Sequence, residues 1–213
     1  MKRVLVVILV LVIALIGAWY FGLFKKKETS NEPKPQGLTV SKHSEGFNAS
    51  VSKALNDYYT LTESFVNWDT VKINTSLAAL KVSVDSIPIT EMKKDTAIYE
   101  TARTTWESVK ADIQGMQLDT SLAERRADLT MLSDNLFTLL RIVKYDLSKV
   151  YYHECPMALS NYESSAYWLS ASGDNKSRRN PYLGLHDPKY GKSMLTCGMT
   201  RDSINFSVNT PGQ

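Results

Sequence analysis

A mainly α-helical fold is predicted: a four-helix antiparallel bundle with a small irregular or two-stranded C-terminal cap, preceded by one N-terminal transmembrane helix. Three observations predict it. Four stretches between Phe47 and Leu147 repeat apolar residues at three- and four-residue steps. The pattern breaks after Leu147. Val4 to Phe24 is a nearly unbroken apolar run of 21 residues.

At 1.5 Å rise per residue that run spans roughly 30 Å, the hydrocarbon thickness of a bilayer. Trp19 and Tyr20 sit near its end, where amphipathic rings favour the interface. A cleaved signal peptide is the rival reading. The apolar core is long for one, and Ile16 stands at −3 from a cut after Ala18, against the small-residue rule. Residues 1–27 therefore read as an anchor with basic flanks. A domain lying wholly C-terminal to it, with no second apolar span, points to a single-pass protein of the inner membrane with its domain in the periplasm.

The formal charge of +3 belongs to these flanks. With Lys2, Arg3, Lys25, Lys26 and Lys27 set aside, 20 basic side chains face 22 acidic ones, a balance of −2. No basic face is left for nucleic acid, so that partner is excluded. Residues 28–44, with Pro33, Pro35 and Gly37, read as a solvated linker.

The bundle is expected over 45–148. Its first helix carries Phe47, Val51, Leu55, Tyr58, Thr62 and Phe65 on one side. Asp69 caps the second, where Val71, Leu77, Leu80, Val84 and Ile87 form the stripe, Ile73 and Val82 interrupt it, and Pro88 ends it. Ile98, Ala102, Trp106, Val109, Ile113 and Met116 share a face of the third, with Gly115 near its stop. The fourth starts near Asp119 and runs through Leu122, Leu129, Leu132, Leu136, Leu139, Val143 and Leu147. Short connections between such helices imply antiparallel neighbours. The cap, 149–213, belongs to the same globular unit. Val150–Tyr152 favours a strand, 171–192 reads as loop, and Met194–Phe206 reads as a second strand with a turn.

The chemistry concentrates in the cap. Val150 to Ala158 and Lys192 to Met199 hold both cysteines of the chain, one of its three histidines and three of its seven methionines. Thiolate, thioether and imidazole together suit Cu(I) better than hard cations. His153, Cys155 and Met157 are spaced by two, so an extended strand projects all three to one side. Cys197 and Met199 repeat that spacing, and Met194 stands three residues before Cys197. Six candidate ligands exceed what a soft ion needs. Half are methionines, which favours Cu(I) or Ag(I) over zinc.

Other readings stay open. Outside the cytoplasm the cysteines could form a disulfide, closing a loop worth about 4 kcal/mol in the chain-entropy model. The chain would then be a stapled helical interaction module without metal. The methionines could be core filler, and His153 a hydrogen-bonded histidine. His186 and the pairs Arg125-Arg126 and Arg178-Arg179 read as solvated loop and surface residues. Catalysis is not expected, because Cys155 and His153 lack an orienting third group.

Four segments carry a family resemblance: Tyr152-His153-Glu154-Cys155-Pro156-Met157-Ala158, Trp168-Leu169-Ser170, Asn180-Pro181-Tyr182-Leu183-Gly184 and Met194-Leu195-Thr196-Cys197-Gly198. In order and spacing the chain resembles, over about residues 45–206, a bacterial domain of unknown function. That domain occurs alone in exported proteins and fused to heavy-metal efflux membrane-fusion proteins. The resemblance implies a periplasmic, helix-rich domain that binds a heavy-metal ion, Cu(I) foremost, in efflux or trafficking. It carries over Cys155, Met157, Met194 and Cys197 as ligands, with His153 less secure. Trp168, Asn180 and Tyr182 would fix the loops around them. Leu183 replaces the aromatic usual in the third segment, and Asp187-Pro188-Lys189-Tyr190 lengthens the loop before Met194. The hairpin and barrel segments of a complete membrane-fusion protein are missing from the sequence. The expected partner is an efflux component or a copper enzyme that receives the ion by ligand exchange.

Overall fold

The computed structural model describes residues 42–206. The run Val4–Phe24, expected as a membrane helix, lies outside the described residues. Among the described residues no helix is long and apolar enough to cross a membrane.

Four long helices form as their sequence signals dictate. α1 (Glu45–Val66) starts where the Ser44 hydroxyl accepts the Phe47 N–H at 3.1 Å. α2 (Thr70–Asp85) starts at Asp69, whose carboxylate accepts the Lys72 N–H. Pro88 then opens a short 3₁₀ segment, Ile89–Lys94. α3 (Thr96–Leu118) is capped by Asp95. α4 (Leu122–Val143) carries a capping box between Ser121 and Glu124. α1 packs along α2, and α3 along α4.

Several sequence expectations need correction. On α2 the buried stripe runs through Ile73 and Leu77, while Val71 is 71 % exposed. Ile73 is therefore core and Val71 is surface. α3 continues past Gly115 to Leu118. α4 stops at Val143, because Lys144 turns left-handed (φ 55°) and its N–H closes on the Arg141 and Leu140 carbonyls. Leu147 falls beyond that stop and is 53 % exposed.

The larger correction concerns fold class. The C-terminal part is not a small irregular or two-stranded cap on a mainly α bundle. It builds a three-stranded antiparallel sheet ordered β2-β1-β3, from β1 (Val150–Leu159), β2 (Ser164–Ser170) and β3 (Met199–Ile204). The expected strand at Met194 is instead a 3₁₀ turn, Gly191–Thr196, followed by β3. Sheet and helices share one core, in which Trp168, Leu169 and Val150 join Leu61, Phe65, Leu136 and Leu140.

One buried knot joins the two layers. The Ser133 hydroxyl of α4 donates to the Leu129 carbonyl at 2.6 Å, which leaves its oxygen to accept from the Tyr58 hydroxyl of α1, also at 2.6 Å. The Tyr58 oxygen in turn accepts the Leu169 N–H of β2 at 3.1 Å. Tyr152 of β1 stacks on Phe137 of α4 and on Tyr167 of β2, with centroids 4.5 and 5.1 Å apart, and its hydroxyl donates to Asp134. Strand pairing puts Tyr152, Glu154, Tyr167 and Leu169 on one face. His153, Cys155, Ala166 and Trp168 lie on the other.

Candidate functional site

Cys155 stands on the central strand, fully buried, opposite Ala166 of β2. Cys197 follows the 3₁₀ turn, its N–H bonded to the Met194 carbonyl at 3.0 Å, and it is only half-buried. Both are free thiols, and they lie within hydrogen-bond reach of each other. The two remote stretches singled out in the sequence therefore converge.

Gly198 makes that convergence possible. Its φ is +118°, a conformation that side chains disfavour. A Cβ there would stand 2.3 Å from the Glu154 carbonyl oxygen and 3.1 Å from Trp168 Cη2. The chain after Cys197 lies flat against the strand that bears Cys155.

The two sulfurs perturb each other's ionisation. The hydrogen bond from the Cys197 thiol is the first cause lowering the Cys155 pKa, to about 7. Burial opposes it, and the Met157 N–H and Asn180 amide add to it. The same bond, with burial, pushes the Cys197 thiol far up. The Asn180 Nδ2 is buried and reaches no acceptor at close hydrogen-bond geometry.

Arg178 supplies positive charge. Only 5 % of it is exposed; it donates to the Gly198 and Thr196 carbonyls and to Asn175 Oδ1. Its guanidinium interacts electrostatically with both sulfurs. The expectation of a solvated Arg178-Arg179 pair thus holds only for Arg179, which pairs with Glu63 at 2.6 Å on the surface. The sequence gives no sign of which arginine turns inward.

The other expected ligands fare differently. His153 is fully buried and both its ring nitrogens are engaged: Nε2 with the Ser172 carbonyl at 3.1 Å and Ser170 Oγ at 2.6 Å, Nδ1 with Thr200 Oγ1 at 3.1 Å. Ser170 donates to the same Ser172 carbonyl. The consistent assignment has Nε2–H donating and Nδ1 accepting, a neutral ring. Burial, with Arg178 nearby, lowers its pKa to about 4. Its place is structural, though it does share the Cys155 face.

Met157 lies past a register shift between Cys155 and Leu159, in which Pro156 supplies no N–H to the ladder. The spacing-by-two argument therefore does not reach it. It packs half-buried against the core. Met194 is buried in the turn before Cys197. Met199 pairs with Glu154, on the face away from Cys155, and is 43 % exposed. Among the described residues no group of three or more His, Cys, Asp or Glu side chains gathers as a metal cluster.

Trp168, Asn180 and Tyr182 lie between the sheet and the loops. Trp168 is buried beside His153, ring centroids 5.2 Å apart. Asn180 Oδ1 accepts the Tyr182 and Leu183 N–H groups, and the Asn180 N–H bonds the Leu195 carbonyl at 2.8 Å. The Tyr182 hydroxyl donates to the Tyr167 carbonyl of β2 and accepts from Thr130 of α4. The Leu185 N–H meets the Val66 carbonyl at the end of α1. The Asn-Pro-Tyr segment is thus a strap that sets the Cys197 turn over the sheet. No protein-family model, no curated protein and no solved structure matches this chain.

Proposed function

We propose that this domain captures a monovalent soft cation, Cu(I) foremost and Ag(I) by the same chemistry, between the sulfurs of Cys155 and Cys197. It would hold the ion and hand it on in heavy-metal efflux or trafficking, working in the periplasm as an inner-membrane protein whose apolar run Val4–Phe24 is the argument for that location. The supporting observation is the thiol pair itself: two free sulfurs from distant segments within hydrogen-bond reach of each other, beside the buried Arg178.

A soft cation would sit between the two sulfurs. Thiolates suit soft and borderline ions, Cu(I) and zinc among them. Two thiolates with a monovalent ion carry a net charge of −1, which Arg178 balances. A divalent ion such as zinc would leave a surplus positive charge in a buried place, and it asks for four ligands. His153 has no nitrogen to spare and Met199 lies on the opposite face, so Met194 and Met157 are the reserves. Entry and exit lie on the side of Cys197, the less buried sulfur. The likeness to the exported domain of efflux proteins supports the same assignment and suggests an efflux component or copper enzyme as recipient.

The test is anaerobic Cu(I) titration of the reduced chain against a competing chelator, repeated on Cys155→Ser and Cys197→Ser. Expected is one ion per chain, with either variant weakened roughly a hundredfold or more, since loss of a direct ligand exceeds the 10–100-fold cost of an outer-shell change. Wild-type binding no tighter than that of Cys155→Ser would end the assignment. The adjacency of the thiols also favours a second reading, a Cys155–Cys197 disulfide that staples the sheet. Thiol counting on natively produced protein separates the two: a free pair supports capture, and none supports the staple.

A further inference from the structure

Away from the sulfur pair, a cavity of about 370 Å³ opens between the end of α1, the first turns of α4 and the β1–β2 turn. Its size is that of a small-molecule site. Ala127, Ala158, Leu183 and Pro188 give it apolar walls.

Two donors on its wall are unsatisfied. Arg126 lies over the Trp68 ring, its guanidinium carbon 4.0 Å from the centroid. Its Nε and Nη2 are shut off from solvent and reach no acceptor, and neither does the indole Nε1 of Trp68. Buried donors left unmade cost roughly 1–3 kcal/mol each, more when charged. The natural partner for Arg126 would be Asp187, which lines the same cavity. Its carboxylate is already used: Oδ1 accepts the Lys189 and Tyr190 N–H groups, and Oδ2 accepts the Tyr162 hydroxyl. Asp187 therefore acts on the guanidinium through space but takes no hydrogen bond from its Nε or Nη2.

Backbone strain gathers at the same place. Among the described residues five non-glycine positions have positive φ: Trp68, Lys144, Ser160, Asn161 and Tyr162. Four of them, all but Lys144, line this cavity. Such conformations cost about 1–3 kcal/mol each and cluster at ligand sites.

We propose that this cavity binds a small organic monoanion, a carboxylate on a flat apolar body, whose charged end is gripped by Arg126 and Trp68. Nε and Nη2 form the edge of the guanidinium that matches a carboxylate with two parallel hydrogen bonds. A rotation at the end of the side chain presents that edge to the cavity. The apolar body then lies against Ala158 and Leu183. The Asp187 carboxylate repels a dianion more than a monoanion, so the doubly charged form of phosphate is disfavoured against a carboxylate.

Titration calorimetry on the full-length chain tests this with three probes: benzoate, its neutral analogue benzamide, and inorganic phosphate. Benzoate is expected to bind saturably, at least about tenfold more tightly than either of the others. Arg126→Gln should abolish that preference. Arg126→Lys, which keeps the charge but loses the fork, should weaken benzoate by about tenfold at an unchanged melting temperature. The wild-type comparison needs no variant to fold. Equal binding of benzoate and benzamide, phosphate binding as tightly as benzoate, or no saturable benzoate binding would overturn the proposal. None of these outcomes bears on the sulfur pair.

Discussion

Replacing Gly198 by alanine should both loosen the domain and disturb its thiols. The added Cβ would meet the Glu154 carbonyl oxygen at 2.3 Å and its carbon at 3.0 Å, well inside ordinary contact. That oxygen cannot retreat cheaply, because Glu154 sits on the central strand and pairs with Tyr167 on one side and Met199 on the other. Two costs add. A φ of +118° strains an alanine by about 1–3 kcal/mol, and forced repacking against a rigid strand costs about 1–3 kcal/mol more. The total, about 2–6 kcal/mol, lowers the melting temperature by about 4–24 °C at about 2–4 °C per kcal/mol for a domain of this size. Gly191→Ala is the control: its φ is also positive, but its Cβ meets nothing within 4 Å. It should cost only the conformational part. Thermal unfolding followed by circular dichroism gives the stability, and thiolate absorbance against pH gives the Cys155 titration. The argument fails if Gly198→Ala melts no lower than Gly191→Ala and leaves the Cys155 titration in place.

Two further outcomes follow from the site. In the wild type one thiolate should appear near pH 7, and Cys197→Ala, by removing its first cause, should move that titration upward; an unchanged midpoint would mean the sulfurs are apart. His153 is held neutral with its pKa lowered to about 4, so the unfolded chain binds more protons between pH 4 and the ordinary histidine value of about 6.5. Stability should therefore fall as pH drops through that window. His153→Gln should flatten this dependence in pH-resolved denaturant titrations, whereas an equal slope in both proteins would contradict a buried neutral ring.

The helical half was legible because its signals are local. Asp69 and Pro88 act on the backbone within a turn of themselves: Asp69 caps α2, and α2 ends at Asp85, just ahead of Pro88. Ile73 shows the limit: one apolar residue off the assumed stripe shifted the whole face of α2. The sheet was harder. β1 runs through Pro156, which ordinarily ends a strand, and survives because the register slips there. β2 is a short run rich in small residues, and it is a strand chiefly because Tyr152 and Tyr182 dock on it. For the site, the soft-ligand composition marked the two segments that do meet, but spacing could not say which side chains turn inward. His153 is taken up in hydrogen bonds, and strand register puts Met199 on the opposite face. Arg178 was invisible, since its charge reads as surface until the Gly198 carbonyl is seen to receive it.

The cysteines sit on either side of a seam, one in the middle of the sheet and one just ahead of its edge strand. Moving the sulfurs apart would require peeling β3 away from β1, so spontaneous loss of anything held between them should be slow. Delivery would then have to be associative: a recipient thiolate or thioether attacks from the Cys197 side while Cys155 still holds on. On the proposed function, such a domain would leak little and release only on contact.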